Sequence, residues 1–139
     1  DETGVSVMQC KRALEEADGD VEKARVILRT YGGDVVAKKA DRTLGAGTIG
    51  AYVHTTNAVA SLVVLSCETD FVAKNEAFIA LARDIAMQVA AMNPEMTEDL
   101  LTQQFIKDEH KTVQMLLDEA TQKFGERITV TAMSRLSVK

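Results

Sequence analysis

Cys67 and His54 are the pair in this 139-residue chain best suited to covalent chemistry. A thiol becomes a nucleophile when a neighbouring base or positive charge lowers its pKa, and imidazole is a common base. A small thiol-dependent enzyme is therefore one reading, and it needs the two side chains within hydrogen-bond reach. Glu68 and Asp70 form a second pair. Two residues apart on a strand, two carboxylates share a face and could divide acid and base roles. No accompanying motif supports hydrolysis. The chain has no Walker-type phosphate loop, no Gly-x-Ser-x-Gly and no His-Glu-x-x-His. Cys10 has no base paired with it and reads as a small buried residue. Two cysteines and two histidines, scattered, lack the spacing of a structural zinc site. No metal, cofactor or catalytic residue is expected.

Composition narrows the classes further. Apolar residues make up 46% and charged residues 27%, so the chain can build a core and is not disordered by composition. A net charge of −5 without a basic cluster argues against nucleic acid as the ligand. The apolar runs are far shorter than the ~20 residues that span a bilayer. No charged-then-apolar signal segment opens the chain, and the cysteines stand unpaired, so a reducing cytoplasm is the expected compartment.

The elements that must position these residues fall into two groups. Residues 1–40 read as small helices. Ser6 with Gln9 makes a capping box, Asp18-Gly19-Asp20 breaks and recaps the chain, and Gly32-Gly33 ends the second helix. A shorter helical piece over 34–40 follows. From Leu44 the pattern turns to strands. Two β-rich runs, one reaching Val53 and one from Val59 to Leu65, flank a polar turn and read as a hairpin. Asn75 caps a long helix whose apolar stripe is Phe78, Leu81, Ala82, Ile85, Val89 and Met92, and Asn93-Pro94 stops it. The stretch from Glu98 to Gln104 is ambiguous, and Phe105 to Asp108 reads as a strand end or loop. Thr112 caps a further helix, with Gly125 at its C′ position. Ile128, Val130, Ala132, Ser134 and Leu136 alternate with polar neighbours and Met133, which predicts a third strand. The expected class is α+β: an N-terminal helical module over 1–40, then a core over 44–139. That core is a three-stranded antiparallel sheet covered on one face by the Asn75 and Thr112 helices.

Several ordered motifs resemble the translation elongation factor Ts family. Thr3-Gly4, Met8, Cys10 to Leu14 and Asp18 to Asp20 are similar to its ubiquitin-associated-like N-terminal module, here without the family's first helix. Cys67-Glu68-Thr69-Asp70-Phe71-Val72-Ala73-Lys74-Asn75 resembles its core signature, the most specific of the matches. Gln104 to Asp108, Lys111 to Val113 and Phe124 to Ile128 follow in family order. One core half is present where longer members carry two, and the region between Glu95 and Leu100 is short.

The resemblance implies guanine-nucleotide exchange on elongation factor Tu, by binding rather than covalent chemistry. It implies that Asp70 and Phe71 enter the partner's GTPase domain, and that His54 and the Phe124-Gly125 pair contact the same domain. Met8 and Lys11 fall where the N-terminal module docks. From pattern alone Phe71 reads more readily as a core residue, a solvated turn histidine is an equal reading of His54, and a helix cap by itself explains Gly125 without excluding the contact. A single core half implies a homodimer, and pairing through the sheet would also cover an exposed edge. The alternative is an interaction module that has kept the fold and lost exchange.

Overall fold

The computed structural model describes residues 37–139. Most of the helical module expected over 1–40, with Met8, Cys10 and Lys11, lies outside the described residues. Strand β1 (Ala46–Val53) and strand β2 (Val59–Cys67) pair antiparallel from Ala46↔Cys67 to Val53↔Ala60. Asn57 turns the hairpin with φ 57°, and its N–H donates to the His54 carbonyl at 2.8 Å. Asn tolerates this left-handed conformation better than most residues. Strand β5 (Thr129–Ser137) pairs antiparallel with the other edge of β2, giving the order β1-β2-β5.

Between β2 and β5 the chain forms α1 (Asp70–Ala73), α2 (Glu76–Met92), α3 (Thr97–Thr102), β3 (Gln104–Phe105), β4 (Asp108–Thr112) and α4 (Val113–Phe124). The Asn75 side chain accepts from the Ala77 N–H at 2.8 Å and starts α2. Asn93, at φ 47°, ends it by donating its N–H to the Val89 carbonyl. Phe78, Ala82, Ile85 and Val89 are buried as the stripe predicts, whereas Met92 is half exposed. Helix α2 lies across β1 and β2. It comes so close that a Cβ on Gly50 would run into the backbone of Ala82 and Arg83. The buried Ser61 hydroxyl donates to the Ala86 carbonyl and ties β2 to the same helix. Helix α4 is capped by Thr112, whose hydroxyl accepts from the Met115 N–H at 3.2 Å. It contributes Val113, Leu117 and Ala120 to the core formed by α2 and the sheet.

Two expectations are corrected, and one open stretch is resolved. The strand at the C-terminal end is not a simple alternation. Val64 pairs with Ala132 and Leu65 with Val130, so Thr131 is an extra residue, a β-bulge. Ile128 and Val130 are buried, but beyond the bulge the phase flips and Ala132, Ser134 and Leu136 face solvent. The ambiguous region from Glu98 to Gln104 is largely helix, and the chain from Gln104 to Thr112 folds as a small hairpin. The buried Gln88 holds that hairpin. Its amide donates to the Gln104 carbonyl at 3.1 Å, and its oxygen accepts from the Ile106 N–H at 2.9 Å. Lastly, Glu68 and Asp70 are not on a strand. β2 ends at Cys67, and Asp70 opens α1.

The helices cover one face of the sheet. The other carries the rows Ile49–Val64–Ala132, Ala51–Leu62–Ser134 and Val53–Ala60–Leu136, and none of these residues is charged. Ile49, Val53, Leu62 and Leu136 are all exposed there.

Candidate functional site

Asp70 and Phe71 stand on a turn that local backbone chemistry prepares. Thr69 is extended (φ −128°, ψ 154°) and its hydroxyl faces the Val72 N–H at 3.5 Å as the N-cap of α1. The helix has four residues. Its inner pair, Val72 and Ala73, is buried, while Asp70 is exposed and Phe71 is 89% exposed. A Phe so exposed does not belong to this chain's own core. Lys74 ends α1, and Asn75 at once caps α2, so the turn is held between a strand end and a helix start.

Phe124 and Gly125 close α4. Gly125 adopts φ 73° and donates its N–H to the Thr121 carbonyl at 2.9 Å, a left-handed helix cap. An added Cβ there would meet nothing within 4 Å, so conformation rather than crowding demands glycine. Phe124 is half buried. Its ring packs edge-on to Phe78, with centroids 6.0 Å apart and planes at 81°, and the Lys123 ammonium lies 5.4 Å from its centre. The cap accounts for Gly125, and core packing accounts for much of Phe124.

These two segments meet through Glu126. Its Oε1 accepts the N–H groups of Glu68 and Thr69, both at 3.0 Å, and its Oε2 accepts the Thr69 hydroxyl at 2.6 Å. In return the Glu68 carboxylate accepts the Arg127 N–H and faces the Arg42 guanidinium at 3.6 Å. The Arg127 guanidinium donates to the Arg42 carbonyl at 2.8 Å. Asp70, Phe71 and Gly125 therefore lie at one end of the sheet. Glu126 sits inside the quoted motif from Phe124 to Ile128, yet its partner Thr69 is 57 positions away, and no sequence spacing signals that contact.

His54 lies at the opposite end of β1, at the hairpin turn. Its Nδ1 accepts from the Thr56 N–H at 3.3 Å, and its ring stands edge-on to Tyr52. Cys67 pairs with Ala46 at the far end of that strand. A strand advances about 3.4 Å per residue, so the thiol and the imidazole are roughly 25 Å apart. Cys67 is also fully buried and donates to the Thr69 carbonyl at 3.3 Å. Burial pushes its pKa above the ordinary thiol range, and the Glu126 charge pushes the same way. That is the opposite of an activated nucleophile, so the thiol-enzyme reading is overturned. Among the described residues no group of three or more His, Cys, Asp or Glu could hold a metal ion. No described helix is long and apolar enough to cross a membrane.

The family model for Elongation factor TS matches residues 7–99 and 68–139. The protein named Elongation factor Ts in Leptospira biflexa serovar Patoc (strain Patoc 1 / Ames) is 41% identical over 181 aligned positions, covering 98% of this chain and 91% of that protein. Its namesake in Clostridium botulinum (strain ATCC 19397 / Type A) is 39% identical over 138 residues, covering 99% of this chain. This chain spans 45% of the length of the Clostridium protein.

Proposed function

Because this chain belongs to the elongation factor Ts family, we propose that it binds elongation factor Tu and promotes release of GDP, without covalent chemistry of its own. The observation that carries this reading is the exposure of Phe71 on a turn braced at both ends. An aromatic side chain held in solvent has already met the entropic cost of ordering its backbone, and it can fill a pocket on a partner. In this reading Asp70 and Phe71 enter the GTPase domain beside the helix that supports magnesium. Displacing that helix weakens the magnesium that screens the GDP phosphates. Gly125 and the exposed part of Phe124 touch the same domain, His54 makes a separate contact, and Met8 and Lys11 dock the N-terminal module.

Exchange of this kind is a coupling of two binding equilibria. A factor that favours the nucleotide-empty partner weakens nucleotide binding, and nucleotide weakens factor binding by the same ratio. Release of fluorescent GDP from elongation factor Tu should accelerate when this chain is added. The chain should also co-elute with the nucleotide-free partner, and excess GDP with magnesium should separate them. A complex indifferent to GDP removes exchange as the mechanism. It would leave an interaction module with this fold. The uncharged, apolar open face of the sheet supports a homodimer as the working form.

A further inference from the structure

We propose that Glu126 is a positioning residue: its carboxylate latches the turn that carries Phe71 and so sets the direction in which Phe71 points. The inference rests on the reading of Phe71 as a partner anchor. A helix of four residues has no stability of its own, because nucleating a helical turn is unfavourable. Phe71, 89% exposed, has little packing to orient it, so its direction follows from the backbone beneath it. Of the three groups that Glu126 binds, two are backbone N–H groups just ahead of α1 and the third is the Thr69 hydroxyl. That hydroxyl spends its proton on Glu126 at 2.6 Å, which leaves its lone pairs for the Val72 N–H. The cap of α1 is thus oriented by a side chain from the far end of the sequence. Hydrogen bonds to an ionised acceptor are the stronger kind. The reciprocal bond from the Arg127 N–H to Glu68 fixes Glu126's own backbone beside the same turn. The latch joins the turn to Gly125, the residue just before Glu126, so both contact segments keep one geometry.

Glu126→Gln tests this, because it keeps the shape and one acceptor oxygen but puts an amide N–H group where the Thr69 hydroxyl donates. Amide hydrogen exchange over 69–72 should quicken at least tenfold, while α2 and the centre of β2 keep their protection. GDP release from elongation factor Tu at limiting factor should slow by about tenfold. In a Phe71→Ala background the same substitution should slow GDP release by clearly less than tenfold, a non-additivity that a purely structural role would not produce. Thr69→Val, at an exposed position, removes the hydroxyl alone and should move the 69–72 amides in the same direction. Thr69→Ser should restore their protection. Unchanged exchange at 69–72 in both Glu126→Gln and Thr69→Val overturns the latch, whether or not the parent chain promotes GDP release. Additive effects of Glu126→Gln and Phe71→Ala on GDP release overturn the positioning role. A parent chain with no effect on GDP release overturns the anchor reading and the positioning role with it, and leaves the amide result to decide the latch.

Discussion

Phe71 separates two accounts of one substitution. A buried Phe truncated to Ala costs about 3–5 kcal/mol of folding stability through lost burial and a cavity. At 89% exposure that cost has no source, so Phe71→Ala should change the urea midpoint of the isolated chain by less than about 1 kcal/mol equivalent. As an interface anchor it should instead cost about 2–4 kcal/mol of partner binding. That is roughly thirty- to a thousandfold in affinity, at about 1.4 kcal/mol per decade. Denaturation and GDP release should be measured on the same sample. Normal exchange with normal stability would sink the anchor. Cys67 gives a second outcome at this scale. Burial first, then the Glu126 charge, holds its thiol protonated in the folded chain. The folded pKa lies above the unfolded one, so this group lowers stability as pH rises through the ordinary thiol range and beyond. At pH 8 a thiol reagent should leave the peptide bearing Cys67 unlabelled until denaturant is added, as read by mass mapping. Labelling of the native chain at the rate of a free thiol would contradict that burial.

At the scale of elements, α4 contains a charge that works against its own fold. Burial raises the pKa of Asp118, and the Gln114 amide, donating at 2.8 Å, offsets this only in part. A carboxyl with a raised folded pKa binds its proton more tightly in the native state. Stability therefore falls as pH rises from the unfolded value of 3.8 through the raised folded value, and is level above it. Asp118→Asn keeps an acceptor for Gln114 and removes the charge. The variant should be more stable than the parent in urea at pH 7, with the difference closing below about pH 3.8. A variant less stable at pH 7 would show that the charge is favourable where it stands. The elements themselves were unevenly legible. The β1–β2 turn, the Asn75 and Thr112 caps and the Asn93-Pro94 stop are local signals, and local backbone chemistry obeys them. The bulge at Thr131 is set by pairing with Val64 and Leu65 far back in the chain, so period two alone predicts the strand but cannot show that Val130 and Ala132 point to different faces. β4, with sequence Asp-Glu-His-Lys-Thr, has no apolar alternation to betray a strand. Its hairpin is fastened by Gln88 from α2, through the Gln104 carbonyl and the Ile106 N–H. The site divides in the same way. The motif marked Asp70, Phe71 and Gly125, but the exposure of Phe71 and the contact from Glu126 to Thr69 exist only once distant segments meet.

For the whole molecule, the open face of the sheet sets the expected assembly. An antiparallel sheet can leave one face in water, and it then alternates apolar inward with polar outward. Here the outward rows hold Ile49, Val53, Leu62 and Leu136 with no charge among them. Contiguous apolar surface of this kind marks an interface, and a self-complementary patch closes most simply as a two-fold dimer. Light scattering at micromolar concentration should give about twice the 15.1 kDa chain mass. Added reductant should not change it, because the rows of the open face through which the copies would pair contain no cysteine. Leu62, at the centre of the face and half exposed, is the position to probe. Leu62→Lys places a charge where two copies would meet, and should return the mass to one chain with little loss of folding stability. Helix α1 packs on the covered side of the sheet through Val72 and Ala73, so pairing through the open face leaves Phe71 free for a partner. A monomeric Leu62→Lys that still accelerates GDP release would make the dimer dispensable for exchange. A parent chain that stays strictly monomeric at high concentration would refute the pairing and return the open face to some other partner.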